Sequence, residues 1–420
     1  MKKSNLIYVL LSFSFLWQSA VSQGLSDARR LGMAGSNYAI AEGTEFVGGN
    51  PATLAKQRDF NFELHLLSAH FMVKNNSYSL KDYDKYFTTG DSLTSQDIDN
   101  LFNHIPGDGM RLDGALGVKT FSIYARPFSL TLYGMGNAFV NLPKDPFELP
   151  FYGNTVKKEY HLDDLDGEAW GAAVVSFAIG FPITKYFSDK FDFVSVGIAP
   201  KYIFGLGYGK IETATGKLVT EDTYISVDGH LESKISEGGS GLGLDLGFLA
   251  DYHKKWTFSL SFSNLIGGIK WKKNDSLRIA SFKADSIRIN DLDSLTTTET
   301  DTVLPIGNFS TGLPRAMIFS AAYQYRPNLV LTATWRQGLN KSLGNFTKPL
   351  LAVGAEYRPL SVFPLRMGMA FGGENGFALG LGAGINLKYW QLELGYLNHN
   401  FRWFRSARSV DIALTTQFRF

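Results

Sequence analysis

The chain has 420 residues, of which 43 are Gly, none is Cys and 19% are charged, with a formal net charge of +2. A transmembrane helix needs about 20 consecutive apolar residues, and only the first 20 or so positions approach that length, which excludes a helical membrane protein. The absence of Cys excludes disulfides, thiolate metal sites and a lipoprotein anchor. The balanced charge leaves no basic excess for binding nucleic acid.

Residues 1–22 have the features of a cleaved secretory signal peptide. Lys2 and Lys3 form a basic start, an apolar run follows, and Ala20-Val21-Ser22 places small residues before the cleavage site. We therefore expect Gln23 to be the mature N-terminus. Removing Lys2 and Lys3 lowers Lys plus Arg from 41 to 39, which equals the 39 Asp plus Glu, so the mature chain is formally neutral.

Residues 23–56 precede the first predicted strand and are rich in Gly and Ala. Positions 28–36 read ARRLGMAGS and positions 49–55 read GNPATLA. Pro51 fixes its own φ and biases Asn50 towards an extended backbone, and the Asn50 side chain can pair with neighbouring backbone groups. This composition suits a segment packed inside a crowded lumen, and an ordinary turn before the first strand is the alternative.

Residues 57–420 show a repeated alternation of apolar and polar residues, as in the stretch WTFSLSFS at 256–263. Successive strand side chains point to opposite faces, so each such segment has one apolar face. We predict an all-β protein, a closed transmembrane antiparallel β-barrel of about 14 strands. The predicted strands are 58–74, 111–125, 128–141, 168–183, 191–213, 239–253, 256–272, 314–326, 329–339, 348–358, 364–373, 376–386, 388–398 and 408–420.

A soluble sandwich would show the same alternation, but three features favour the barrel. The apolar faces carry large aromatics, the opposite faces are small and polar, and the connections alternate between short and long. Short turns face the periplasm, so both termini should lie there. The long connections are predicted at 75–110, 142–167, 214–238 and 273–313, with a short helix near 96–104 capped by Ser95 and a strand extension within 273–303.

Aromatic residues mark two further features of the predicted barrel. Four Trp residues fall at strand ends, where rings favour the lipid headgroup level: Trp170, Trp256, Trp271 and Trp390. The last strand places Phe418 and Phe420 on one face and ends the chain on Phe420. This ending resembles the signal read by the barrel-assembly machinery.

The N-terminal motif resembles that of the FadL-like barrels, the long-chain fatty acid transporter superfamily. The resemblance rests on residues 28–56, which combine a Gly- and Ala-rich segment with Asn50-Pro51-Ala52. It implies a 14-stranded barrel whose N-terminal segment folds inside as a hatch, with Asn50, Pro51 and Ala52 gating a ligand. It also implies a kinked third strand, here at Gly134, Gly136 and Asn137. Strand glycines often mark a bend, and small residues that make room for the hatch are the alternative. We expect Asn50-Pro51-Ala52 to pack near these third-strand glycines.

The resemblance and the residues together leave two classes of function open. One is a channel for uptake of small hydrophobic molecules, and the other is a non-transporting barrel that acts in secretion or binds a partner. No catalytic, metal-binding or cofactor-binding motif is present, and the acidic run at 163–168 does not have the spacing of an EF-hand. The expected partners are outer-membrane lipid, the barrel-assembly machinery and a hydrophobic small molecule.

Overall fold

The computed structural model describes residues 26–90, 92–187, 190–287, 297–373, 376–399 and 406–420, and the predicted signal peptide at 1–22 lies outside these ranges. The described residues form one antiparallel sheet of 19 strands. The strands are β1 (Phe62–Asn75), β2 (Met110–Ala125), β3 (Phe128–Leu142), β4 (Glu159–His161), β5 (Asp166–Pro182), β6 (Phe193–Thr220), β7 (Ile225–Ser236), β8 (Gly238–Tyr252), β9 (Trp256–Lys273), β10 (Ser276–Ile287), β11 (Thr297–Pro305), β12 (Phe309–Gly312), β13 (Ala316–Arg326), β14 (Leu329–Gly338), β15 (Leu350–Leu360), β16 (Phe363–Gly372), β17 (Ala378–Asn386), β18 (Trp390–His399) and β19 (Ser409–Arg419).

Fourteen of these described strands make a closed barrel, because β1 pairs with both β2 and β19. They are β1, β2, β3, β5, β6, β8, β9 and β13 to β19. Each corresponds to one of the predicted strands, so the predicted barrel and its strand number are confirmed. The ends differ by a few residues, and β6 runs on to Thr220 rather than ending at residue 213.

The remaining described strands extend the wall at the end of the barrel opposite Phe420. The C-terminal half of β6, from Tyr208 to Thr220, pairs with β7. β7 also pairs with β10, and β10 pairs with β11. The extension predicted within 273–303 is therefore confirmed. The stretch 214–238 is mostly strand, which corrects its prediction as a loop.

The two faces of the barrel wall have opposite chemistry. In β9, Ser259, Ser261 and Ser263 are buried inside, while Trp256 on the other face is 40% exposed. In β19 the odd-numbered Ser409 to Gln417 point inward, and Val410, Ile412 and Leu414 point outward. An apolar outer surface on a closed barrel is that of a protein surrounded by lipid.

Two of the four Trp residues expected at the headgroup level lie inside the barrel instead. Trp271 has no exposed surface and its indole N–H donates to Thr311 Oγ1 at 3.0 Å. Trp170 is also buried and donates to the Leu343 carbonyl oxygen at 3.2 Å. Period two assigns residues to two faces, but it does not say which face of a strand end is turned inward.

Four short α-helices of the described residues are not part of the wall: α1 (Ala28–Gly32), α2 (Leu80–Tyr86), α3 (Ser95–His104) and α4 (Glu148–Tyr152). The predicted helix near 96–104 is confirmed as α3, but its cap is Thr94 rather than Ser95. Thr94 Oγ1 accepts from the Asp97 amide at 3.2 Å, and the Asp97 carboxylate accepts from Thr94, which forms a capping box.

Within the described residues, no helix has the length and apolar character needed to cross a membrane.

Candidate functional site

The candidate site is the interior of the barrel around residues 26–56, called here the N-terminal segment. The segment has no strand to pair with and turns repeatedly, through α1 and through 3-10 turns at Tyr38–Ile40, Gly43–Phe46 and Pro51–Ala55. Its residues are nearly all buried. Since buried backbone groups need hydrogen-bond partners, the turns supply some and the strands supply the rest.

Asn50 fixes the last turn of the segment to the wall. Its side-chain amide donates to the Phe248 carbonyl oxygen at 2.7 Å and to Ser259 Oγ at 2.8 Å, and its oxygen accepts from the Ala52 amide at 2.8 Å. Ser195 Oγ donates to the Ala52 carbonyl oxygen at 2.9 Å. Pro51 starts the 3-10 turn at a position where no amide donor is needed. The segment is therefore bonded to β6, β8 and β9 here.

A row of inward-facing glycines makes room for this turn. Gly180, Gly197 and Gly247 are directly paired across β5, β6 and β8. A Cβ placed on Gly197 would lie 2.3 Å from the Ala52 nitrogen, and one on Gly247 would lie 1.8 Å from Asn50 Oδ1. Any side chain at these positions would displace the turn.

A second glycine row accommodates the start of the segment on the far side of the barrel. Gly354, Gly368 and Gly380 are paired across β15, β16 and β17. A Cβ on Gly368 would lie 2.2 Å from the Met33 carbonyl carbon, and one on Gly354 would lie 2.3 Å from Ser36 Oγ. The two rows together bring the segment's backbone into direct contact with the wall.

Buried ion pairs bind the segment to β15, which also carries Gly354 of the second row. The Arg29 guanidinium donates to both oxygens of Glu356 at 2.9 and 3.2 Å and to Glu45 at 2.9 Å. Arg366 contacts Glu356 and Glu393, each at 2.6 Å. A buried charge needs an opposite charge and hydrogen bonds in good geometry, and Arg29 receives both only while the segment is docked.

A second ionic group surrounds Arg419 at the end of the last strand. Its guanidinium lies 2.8 Å from Glu63 and 2.8 Å from Glu42. The second oxygen of Glu63 accepts from the amide and hydroxyl of Thr44 at 3.0 and 2.7 Å, and Lys119 Nζ donates to the Thr44 carbonyl oxygen at 3.0 Å. Strands β1, β2 and β19 therefore hold the middle of the segment.

The two carboxylates of the segment in this network differ in acidity. Burial raises the pKa of Glu45 to about 7, although Arg29 opposes the shift. Burial acts in the same direction on Glu42, but the guanidiniums of Arg29, Arg58 and Arg419 hold the pKa of Glu42 well below its ordinary value. Glu42 is therefore the firmly ionised partner, and Glu45 gains or loses its proton near neutral pH.

One apolar cluster extends along the interior from the long-loop end of the barrel to the segment. Trp170, Tyr208 and Trp271 lie at the long-loop end, and Tyr133, Val174 and Ile203 lie along the wall. The cluster continues through Phe46, Val47 and Leu54 of the segment to Tyr124 at the short-turn end. The interior thus carries this apolar cluster along one part of the wall and the ion pairs of Arg29 and Arg419 along another.

The structure separates two groups of residues that the sequence predicted to lie together. Asn50, Pro51 and Ala52 pack on β6, β8 and β9, not beside the third-strand glycines, so that predicted contact is wrong. β3 pairs with β2 and β5 without a register shift through Gly134, Gly136 and Asn137. The ladder is therefore regular where a kink was expected, and the irregularity lies on β2, between Thr120 and Ile123.

The aromatic residues at the chain end lie on the outer surface. Phe420 is 55% exposed, and its amide donates to the Phe62 carbonyl oxygen at 2.8 Å. Its ring stacks on Tyr389 at 5.6 Å and on Phe418 at 6.3 Å between centroids. The final residues therefore join β19 to β1 at the seam where the barrel closes.

Sequence reasoning missed the glycine rows and the interior charges. Both carry a signal that could have been read, because each occupies inward positions of predicted strands. The missed charges are Glu63, Lys119, Glu356, Arg366, Glu393 and Arg419. The pairing of Glu356 with Arg29, and of Arg419 with Glu42 and Glu45, requires the three-dimensional arrangement.

The sequence matches a family model described as "Family of unknown function (DUF5723)" over residues 51–237 and 226–395. The chain belongs to the DUF5723 family. The two DUF5723 matches include the wall from β1 into β18 and the last turn of the N-terminal segment, whereas α1 precedes them. No curated protein matches the chain in sequence.

The fold of this DUF5723 chain is similar to that of solved FadL-family barrels. The P. putida toluene transporter TodX has a TM-score of 0.58 at 10% identity, covering 95% of this chain and 99% of TodX. The Ralstonia pickettii toluene transporter TbuX has a TM-score of 0.52 at 13% identity, covering 95% and 99%. A Pseudomonas aeruginosa FadL homologue has a TM-score of 0.51 at 12% identity, covering 96% and 100%. The predicted FadL-like fold is confirmed.

Proposed function

We propose that the chain is an outer-membrane channel for uptake of small hydrophobic molecules, and that residues 23–56, which include the N-terminal segment, are its hatch. The observation that carries the proposal is the apolar cluster between the long-loop end and the segment. Hydrophobic ligand sites are lined mainly by apolar and aromatic side chains. The similarly folded TodX and TbuX are toluene transporters, which supports the same class of guest.

The N-terminal segment docked against the wall is the closed form of this channel. The apolar cluster is packed, so a guest passes only when the segment moves away from the wall. The contacts that resist this movement are the bonds of Asn50 and the ion pairs of Arg29. When the segment undocks, water can replace the wall as the hydrogen-bond partner of these groups. Opening the channel therefore costs less free energy than breaking the hydrogen bonds between strands.

A reversible cross-link between the segment and the wall tests the proposal. Ser36 Oγ lies 2.7 Å from Thr332 Oγ1 on β14, and the native chain has no Cys. The double variant S36C/T332C should form a disulfide, block uptake of a small aromatic hydrocarbon into reconstituted vesicles or cells, and regain uptake after reduction.

The matched control is S281C/T300C, a directly opposite pair on β10 and β11 in the extension of the wall. This cross-link leaves the segment free and should leave uptake unchanged. Equal uptake by oxidised and reduced S36C/T332C would show that guest passage, if any, does not require the segment to move.

The alternative function is a non-transporting barrel that binds a partner through its loops. The observation in its favour is an exposed apolar group on and beside α2, where Tyr83 and Phe87 are 56% and 52% exposed and stack at 5.9 Å. A stable complex purified with the wild-type barrel and lost in Y83S/F87S, together with no uptake of hydrocarbon, would favour this function.

A further inference from the structure

A small cavity lies between the N-terminal segment and the barrel wall. It has a volume of about 30 Å³ and is lined by Val47 and Gly48 of the segment and, from the wall, by Tyr133, Met135, Lys201 and Arg336, among others. A cavity needs roughly 10–15 Å³ to hold one water-sized species. The space is sufficient for a single small ion or molecule and too small for a hydrocarbon guest.

Arg336 brings an unbalanced charge to this cavity. Its side chain is buried, with 5% of the residue exposed, and one terminal nitrogen, Nη2, donates to Asn345 Oδ1 at 3.0 Å. The guanidinium also lies over the Phe346 ring at 5.0 Å. The other terminal nitrogen, Nη1, has no hydrogen-bond partner, and no carboxylate among the described residues forms an ion pair with Arg336.

Lys201, the other cation of the cavity lining, is already neutralised. Its Nζ lies 2.6 Å from Asp245 and donates to Asn264 Oδ1 at 2.9 Å. The cavity lining and its immediate partners therefore carry one uncompensated positive charge, on Arg336. Burying an unpaired charge with a free donor is costly, so the site is suited to a ligand that supplies one negative charge.

We infer that this cavity binds one compact monovalent anion of halide size, held by Arg336 Nη1. The volume admits a single ion, and the local charge balance calls for one negative charge. The ion is not the transported guest, because the cavity between the segment and the wall holds only one small species and is too small for a hydrocarbon. It acts as a tie between Val47-Gly48 and β14, and it adds to the docking of the segment.

Bromide is the probe, because its anomalous X-ray scattering identifies it directly. Crystals of the wild-type barrel soaked in sodium bromide should show an anomalous peak in the cavity within hydrogen-bond distance of Arg336 Nη1. The peak should be absent from R336Q. It should persist in R111Q, where the removed guanidinium also stacks on a ring, Phe139 at 4.0 Å, but already has a carboxylate, Asp113 at 2.8 Å.

Wild-type protein alone is sufficient for a decision if R336Q does not fold. No anomalous peak in the wild-type cavity at high bromide would overturn the inference, since a neutral water then fills the space. A peak that remains in R336Q would also overturn it, because Lys201 would then be the ion's partner. In solution, the unfolding temperature of the wild-type barrel should rise with bromide, and that rise should be lost in R336Q.

Discussion

At the scale of single residues, the interior is governed by polar groups that are buried and must be paired. Asn50 has no exposed surface, and its amide satisfies two groups of the wall and one of its own turn. The sequence predicted that Asn50 would pair with its own turn, because Asn before Pro commonly does so. It could not predict Phe248 and Ser259, which are about 200 positions away.

The variant N50A tests this anchoring role. It removes the Asn50 hydrogen bonds to the Phe248 carbonyl, Ser259 and the Ala52 amide, and each buried polar group left unmatched costs about 1–3 kcal/mol. The free energy is lost from docking of the segment. The barrel should therefore remain heat-modifiable, migrating faster on gels when unheated than when boiled, while trypsin should cut faster at Arg29 and Arg30. N61A, at an exposed position next to β1, is the matched control. Unchanged cleavage in N50A would contradict the anchoring role.

Glu45 predicts how docking depends on pH. A carboxyl group whose pKa is higher in the docked state stabilises docking. This stabilisation is complete when the pH is below the group's ordinary pKa of 4.5. That contribution is lost as the pH rises through about 7. We compare the labelling rate of a cysteine at position 36 with the rate of the same cysteine in E45Q. The ratio of the first rate to the second should rise as the pH increases from 4.5 to about 7. A constant ratio of the two labelling rates would show that Glu45 does not titrate with docking.

At the scale of elements, period two was sufficient to place all fourteen strands, because the alternation is local to each strand. The same pattern does not reveal what lies against the inner face. The glycine rows are formed by residues that are far apart in sequence, and their alignment depends on the register of neighbouring strands. For the same reason the sequence did not show that Trp170 and Trp271 turn inward, or that 214–238 continues the wall.

The variant G197A tests the contact between the first glycine row and the N-terminal segment. The added Cβ would lie 2.3 Å from the Ala52 nitrogen, and such overpacking costs about 1–3 kcal/mol. We expect faster trypsin cleavage at Arg29 and Arg30 in the folded barrel. G209A lies on the same strand with no atom within 4 Å of the added Cβ, and it should behave like wild type. If the two variants are cleaved equally, the row does not position the segment.

The variant F420A tests the end of β19 as an assembly signal. Phe420 lies on the outer face at the closing seam, and we expect its loss to lower the amount of heat-modifiable barrel in the outer membrane. F319A, which removes a ring that is 45% exposed on β13, is the matched control and should assemble normally. Wild-type levels of folded F420A would show that the terminal aromatic is not required.

At the scale of the whole molecule, a lipid-facing wall encloses an interior that is filled by the chain's own N-terminal segment. A barrel of fourteen strands is too wide for wall side chains alone to fill. Here the glycine rows, the Asn50 bonds and the Arg29 and Arg419 ion pairs position the segment within it. The sequence indicated the segment by its composition, but its contacts depend on the closed barrel.

The most direct measurement is the labelling rate of a cysteine at position 36 with a bulky maleimide in the purified, folded barrel. Ser36 has no exposed surface, and the native chain has no other thiol. The control is D222C, whose native side chain is 70% exposed in a loop. We expect D222C to label at once and S36C in the folded barrel to label far more slowly than D222C, with rapid labelling of S36C only after unfolding. Equal rates for the two folded variants would contradict this expectation, because the segment would then hang free of the barrel.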